Sequence, residues 1–245
     1  MSTAERPPVC GGDIPFSLSF HNTMTRRKGS RRQPLRHPEG PGSAAKPLRI
    51  VGGSLRGRTI IYSGDQRTRP MKDRLREAVF DVLATAVKGK HAIDLFAGTA
   101  ALGLEALSRG AARATLIERH FPTARLIEQS IASLDVADLA SVYAGDAFLW
   151  PRQHHDWAAL TQLPWLVLCS PPWAFFADRT EDMVGLITAL HQRAPAGSQF
   201  VVEADEQFDF GLLASLGEWD LHQYPPAVIG FHQVQNGFQI HSLSR

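Results

Sequence analysis

Four short stretches of this chain carry residues whose types and spacing could do chemistry. Three are acids that close apolar runs: Asp94 in His91-Ala-Ile-Asp-Leu-Phe-Ala97, Glu118 in Ala114-Thr-Leu-Ile-Glu118, and Asp146 after Ser141-Val-Tyr-Ala-Gly145. The fourth is Ser170-Pro171-Pro172-Trp173, which follows the run Trp165-Leu-Val-Leu-Cys169. One acid at a strand end ordinarily caps a helix. Three on consecutive strands line one edge of a sheet and suit a ligand with hydroxyl, amino or cationic groups.

The glycines narrow that ligand. A dinucleotide fingerprint reads G-x-G-x-x-G, and a phosphate loop reads G-x-x-x-x-G-K-[ST]. Here Gly98 and Gly103 are five residues apart and no lysine follows Gly103. Asp94 just before the turn suits a cationic ligand end and opposes pyrophosphate. S-adenosylmethionine has such an end, carrying an ammonium and a sulfonium. Glu118, twenty residues after Gly98, stands where a strand-end acid binds ribose hydroxyls, and Asp146 suits an adenine amino group.

Ser170-Pro171-Pro172-Trp173 fits the other partner of such a cofactor. Two prolines cannot continue a central strand, so the chain stops and stiffens there. An exocyclic amine on a base is a poor nucleophile because its lone pair is delocalised into the ring. The Ser170 hydroxyl and the Pro171 carbonyl could hold its N–H groups, favouring a pyramidal nitrogen with its lone pair toward a methyl donor. Trp173 offers a stacking face, worth roughly 1–3 kcal/mol.

These residues require particular elements beneath them. His91 to Ala97 reads as a buried parallel strand and Ala100 to Ser108 as a helix, a strand–turn–helix unit that sets a helix N-terminus beside a ligand. Runs at 114–118, 141–146, 165–169 and 199–204 supply further strands. Glu203 and Asp205, closing the last, read as solvated. Residues 181–193 read as a helix with Met183, Leu186, Ile187 and Leu190 inward. Upstream, Leu48 to Val51 and Thr59 to Tyr62 read as a hairpin carrying Arg49, Arg56 and Arg58. A helix from about Pro70 to Val87 follows, with Leu75, Val79, Val82, Leu83 and Ala86 as its apolar stripe. Lys72 and Arg76 edge that stripe. Phosphate contacts and, for Arg76, a salt bridge to a core carboxylate are both open.

At this level the chain resembles the RsmD family of ribosomal RNA guanine-N2 methyltransferases, within the class I amino-methyltransferases. The stretches that carry it are Leu48-Arg-Ile-Val-Gly-Gly-Ser-Leu-Arg-Gly-Arg58, Arg69-Pro-Met-Lys-Asp-Arg-Leu-Arg-Glu-Ala-Val-Phe80, residues 94–110 and the Pro-Pro-aromatic segment. The resemblance implies a three-layer Rossmann-like α/β fold with a mostly parallel seven-stranded sheet. It closes on an antiparallel pair, 219–224 and 231–243, joined through Pro225-Pro226 and Gly230. It implies S-adenosylmethionine held by Asp94 and the Phe96, Ala97, Gly98, Thr99 and Ala100 backbone at the methionine end. Glu118 with Arg119 would face the ribose, and Asp146 with Ala147 the adenine. Ser170, Pro171, Pro172 and Trp173 would be catalytic, and Arg56, Arg58, Arg69, Lys72, Arg74 and Arg76 would face RNA. The family's usual acid before the prolines is serine here. Serine also occurs there in enzymes methylating cytosine N4 of DNA, so a DNA amino-methyltransferase (cytosine N4 or adenine N6) and an RNA-binding relative without activity remain alternatives. A nicotinamide dehydrogenase is disfavoured by the glycine spacing.

Composition agrees with a nucleic-acid partner. Residues 1–90 hold 18 Lys and Arg against 7 Asp and Glu, whereas residues 91–245 hold 8 against 17. A basic front on an acidic domain meets a polyanion such as ribosomal RNA or a small ribosomal subunit. Residues 1–46 are rich in Pro, Gly, Ser and Arg and read as a disordered basic extension. Residues 47–90 then form the RNA-facing hairpin and helix, and 91–245 the catalytic domain. Two cysteines and no zinc spacing among ten histidines point to a reducing, cytoplasmic compartment without a metal. No apolar run approaches a membrane span. A monomer is expected.

Overall fold

The computed structural model describes residues 48–65, 70–154 and 156–235. The basic extension 1–46, Arg69 and the distal half of the expected last strand lie outside the described residues. The described residues belong to one compact unit.

The elements run α1 (Asp73–Leu83), β1 (His91–Asp94), α2 (Ala101–Ser108), β2 (Arg113–Glu118), α3 (Phe121–Ser133), β3 (Ala140–Ala144), α4 (Trp150–Gln153), α5 (Trp157–Leu160), β4 (Trp165–Cys169), α6 (Ala174–Asp178), α7 (Thr180–His191), β5 (Gln199–Asp205), β6 (Asp220–Tyr224) and β7 (Ala227–Gln233). The sheet order is β3-β2-β1-β4-β5-β7-β6. The first five in that order are mutually parallel, and β7 pairs antiparallel with both β5 and β6. This is the expected three-layer, seven-stranded architecture. All strand ends that carry acids therefore open on one edge.

Strand β4 shows why its sequence is apolar throughout. Leu166 and Leu168 pack into one core with α1, α2 and α3, while Trp165, Val167 and Cys169 enter a second core with α6 and α7. A strand covered on both faces has no solvent side to alternate toward. Helix α7 buries Met183, Leu186, Ile187 and Leu190 as its spacing predicts.

Three expectations are corrected. The N-terminal hairpin shrinks to one antiparallel bridge, Arg49 to Thr59, because Gly52 and Gly53 turn onto α2. Gly53 lies at φ +75°, and a Cβ there would sit 1.9 Å from the Ser108 carbonyl oxygen. Helix α1 starts at Asp73 rather than Pro70 and ends in a 3₁₀ turn, Ala84–Val87. Phe80 is buried where Val82 was expected, and Val82 is 38% exposed. Strand β7 starts at Ala227, directly after Pro225-Pro226. Gly230 lies inside the strand and not in the turn, where a Cβ would come within 2.3 Å of the Phe210 ring.

Arg76 is the fourth correction. Its side chain is wholly buried, with Nη2 donating to the Arg49 carbonyl at 2.6 Å and to Asp73 at 2.9 Å. Its Nε lies 3.5 Å from Glu105. Glu105 also accepts the Val51 and Gly52 amides at 2.8 and 2.7 Å and Arg109 Nε at 2.9 Å. The guanidinium thus latches the N-terminal segment to α1 and α2 and does not face RNA. Among the described residues, no helix is long and apolar enough to cross a membrane.

Candidate functional site

The turn after β1 is built on carboxylates. Asp94 Oδ2 accepts the Gly103 amide at 3.0 Å, tying the strand end to the first turns of α2. Gly103 is required by closeness, since a Cβ would stand 2.2 Å from Leu116 Cδ2. Glu118 Oε2 accepts the Gly98 amide at 2.8 Å, and its Oε1 accepts the His120 amide at 2.7 Å. Gly98 and Ala100 both lie in the left-handed region, at φ +53° and +61°. That is easy for glycine and costs an alanine about 1–2 kcal/mol. Asp146 joins from the next strand. Gly145 N–H donates to the Glu118 carbonyl at 3.0 Å, and Asp146 Oδ1 accepts the Phe148 amide at 2.8 Å.

Asp94 Oδ1 is buried and has no hydrogen-bond partner. Burial foremost, together with the nearby Glu118 charge, pushes the Asp94 carboxyl up to about 7, against the stabilising Gly103 and Phe96 amides. A buried acceptor without a donor marks a place for one. The Gly98 and Gly103 amides, which a pyrophosphate would need, are already committed to carboxylates. The donor set thus fits a ligand bearing an ammonium, ribose hydroxyls and an amino group, and does not fit a dinucleotide.

The second half of the site follows β4. Strands β4 and β5 pair with Cys169 opposite Val202, so Ser170 and Glu203 emerge side by side. Ser170 Oγ–H donates to Glu203 Oε2, and the Trp173 side chain lies close enough to Glu203 to favour its charged form. Glu203 is only 8% exposed, which corrects its reading as solvated. Burial raises its carboxyl above the usual range, partly offset by those two side chains. The Pro172 and Trp173 carbonyls accept the Phe175 and Phe176 amides at 2.9 Å, opening α6, whereas the Pro171 carbonyl accepts no backbone donor among the described residues. Burial pushes the Cys169 thiol up and away from nucleophilic thiolate.

An aromatic cluster joins the two halves. Phe96 meets Phe148 and Phe175 edge-on, with centroids 5.8 and 6.0 Å apart. Arg179 stands 3.8 Å over Phe148, and Arg119 6.0 Å from Phe175. Of the basic residues, Arg56, Lys72 and Arg74 are exposed. Arg58 is also exposed but donates to the Ser133 carbonyl at 2.6 Å. Phe148, Phe175 and Arg179 carry no signal in the sequence, and only the β4–β5 adjacency separates Glu203 from a solvated strand-end acid. Among the described residues, no group of three or more His, Cys, Asp or Glu is placed to hold a metal.

Residues 48–223 match the family described as conserved hypothetical protein 95. The chain is 30% identical over 190 residues to ribosomal RNA small subunit methyltransferase D of Escherichia coli strain K12, covering 77% of this chain and 88% of that protein. It is 36% identical over 87 residues to the protein of the same name from Buchnera aphidicola subsp. Acyrthosiphon pisum, covering 36% of this chain and 46% of that one. Among solved structures, yhhF from Escherichia coli superposes with a TM-score of 0.58 at 28% identity, covering 77% of this chain and 98% of that one.

Proposed function

The chain belongs to the conserved hypothetical protein 95 family, and from that premise we propose that it is an S-adenosylmethionine-dependent methyltransferase acting on the N2 amine of a guanine in small-subunit ribosomal RNA. The observation that carries the reading is the turn after β1, whose Gly98 and Gly103 amides are held by Glu118 and Asp94 while Asp94 Oδ1 stays without a donor.

Asp94 and the backbone from Phe96 to Ala100 hold the methionine end, Glu118 with Arg119 the ribose, and Asp146 with Ala147 the adenine. When bound, S-adenosylmethionine supplies an electrophilic methyl group. The protein's part is positioning. The target base leaves any stack to enter the site and lies against Trp173. The Pro171 carbonyl and Ser170 Oγ, whose O–H donates to Glu203, accept hydrogen bonds from the amine N–H groups and direct the nitrogen lone pair, and one amine proton passes to solvent as the nitrogen–methyl bond forms. Arg56, Arg58, Lys72 and Arg74 meet RNA phosphates, together with Arg69, which lies outside the described residues. The protein works in the cytoplasm as a monomer, on RNA alone or in a small subunit. Titration with S-adenosylhomocysteine and with NAD tests the cofactor assignment. Saturable binding of the first only is expected, and binding of NAD alone would contradict it.

A further inference from the structure

Glu203 is placed to do more than fill a strand end. It comes from β5, one strand away from the segment that meets the base, and it is nearly buried. Its carboxylate accepts the Ser170 hydroxyl and has the Trp173 side chain beside it. Those are the two side chains assigned to the target base, and neither carries charge. A buried carboxylate is costly unless hydrogen-bonded. This one has the Ser170 hydroxyl as its side-chain hydrogen-bond partner, with no cation among the ion pairs of the described residues to balance it.

We propose that Glu203 is the positioning residue of the base site, fixing the Ser170 hydroxyl beside the Trp173 ring and supplying the negative charge that residue 170 lacks. The inference rests on the amine-methylating reading above. A serine hydroxyl can present either its proton or its lone pairs to a ligand. With the proton committed to Glu203, only lone pairs face the amine, and an amine with two N–H groups needs acceptors. Positive charge that builds on the amine nitrogen as it is methylated is opposed by Glu203 through one hydroxyl. Burial raises the carboxyl, so the device works only above its pKa.

Two variants test this, with methyl transfer to unmethylated small subunits followed from acid to neutral pH. Glu203→Gln keeps the shape and removes the charge that draws the Ser170 proton away from the amine. The expected result is a fall in kcat of about tenfold or more, with loss of the acid limb of kcat at saturating S-adenosylmethionine, where the Asp94 effect on cofactor binding is removed. KM, affinity for S-adenosylhomocysteine, RNA affinity and the melting temperature should change little. The double variant Ser170→Asp/Glu203→Gln moves the charge to position 170, where the new amide can donate to it, and should regain most of kcat. Unchanged kcat in Glu203→Gln overturns the Glu203 assignment alone. So does a parallel loss of kcat, cofactor affinity and melting temperature without rescue, which marks a structural residue. No transfer by the wild-type chain overturns both the assignment and the function it rests on.

Discussion

Asp94 and Gly103, nine residues apart, are joined by a 3.0 Å hydrogen bond from the Gly103 amide to Oδ2, which leaves Oδ1 of the same buried carboxylate without a donor. Strand end, glycine turn and α2 are locked around an acid that is held near neutrality at about 7. This couples cofactor binding to a proton. A cationic ligand end favours ionised Asp94, so binding should release up to one proton and tighten as pH rises from about 6 to about 8. Calorimetry in buffers of different ionisation enthalpy measures the released proton. Tightening toward acid pH would contradict the assignment.

The same shift makes a stability prediction. A carboxyl whose folded pKa is raised favours the fold while protonated, and that contribution is lost as pH rises from the ordinary value near 4 through about 7. Asp94→Asn removes the charge and should therefore melt higher than wild type at alkaline pH, by the equivalent of about 1–4 kcal/mol. The two should converge in acid. The variant should bind cofactor more weakly at every pH, so stability and affinity move in opposite directions.

Glycine and alanine substitutions around the turn should also act in opposite directions. Gly103→Ala drives a methyl group to 2.2 Å from Leu116 Cδ2 and 3.3 Å from Asp94. It should destabilise by about 1–3 kcal/mol. Ala100→Gly relieves a left-handed alanine at φ +61°, and after the entropy cost of glycine should gain up to about 1 kcal/mol. Urea melts of the two variants compare the signs.

Basic residues divide into those that hold the fold and those that meet RNA. Arg76→Ala leaves the Arg49 carbonyl without its guanidinium donor and Glu105 with Arg109 as its remaining cation, and should cost about 1–3 kcal/mol. Lys72→Ala and Arg74→Ala should leave the melting temperature unchanged while weakening RNA binding and lowering its salt slope by about 1 each. Equal loss of RNA affinity in a still-folded Arg76→Ala protein would return that residue to the RNA face.

Trp173→Ala should lower kcat/KM by the equivalent of roughly 1–3 kcal/mol of stacking and leave cofactor affinity nearly intact. Loss of both together would make Trp173 a wall of the cofactor site.

Much of this was legible in the sequence because the informative elements are local. The apolar runs around Asp94, Glu118 and Cys169 are strands that neighbours bury on both faces. The stripe Met183, Leu186, Ile187, Leu190 is a helix face and packs as one. What escaped depends on pairings between distant segments. Arg76 and Glu105 are far apart in sequence, so helical periodicity could show that Arg76 points inward but not what meets it. Glu203 reads as one more polar strand end until β5 is known to lie against β4, with Val202 opposite Cys169. The hairpin at 48–62 was overdrawn because alternation cannot reveal that Gly52 and Gly53 are needed against Ser108. Strand β7 was placed late because Gly230 serves close packing to Phe210, not a turn.

The most direct measurement offers labelled S-adenosylmethionine with unmethylated small subunits, naked small-subunit RNA and duplex DNA side by side, followed by digestion and nucleoside identification. Label recovered in N2-methylguanosine from the RNA or the subunits is the result expected here. It would show that a serine held by Glu203 suffices before the two prolines. Label only in DNA, or none from a chain that binds cofactor, would contradict the account.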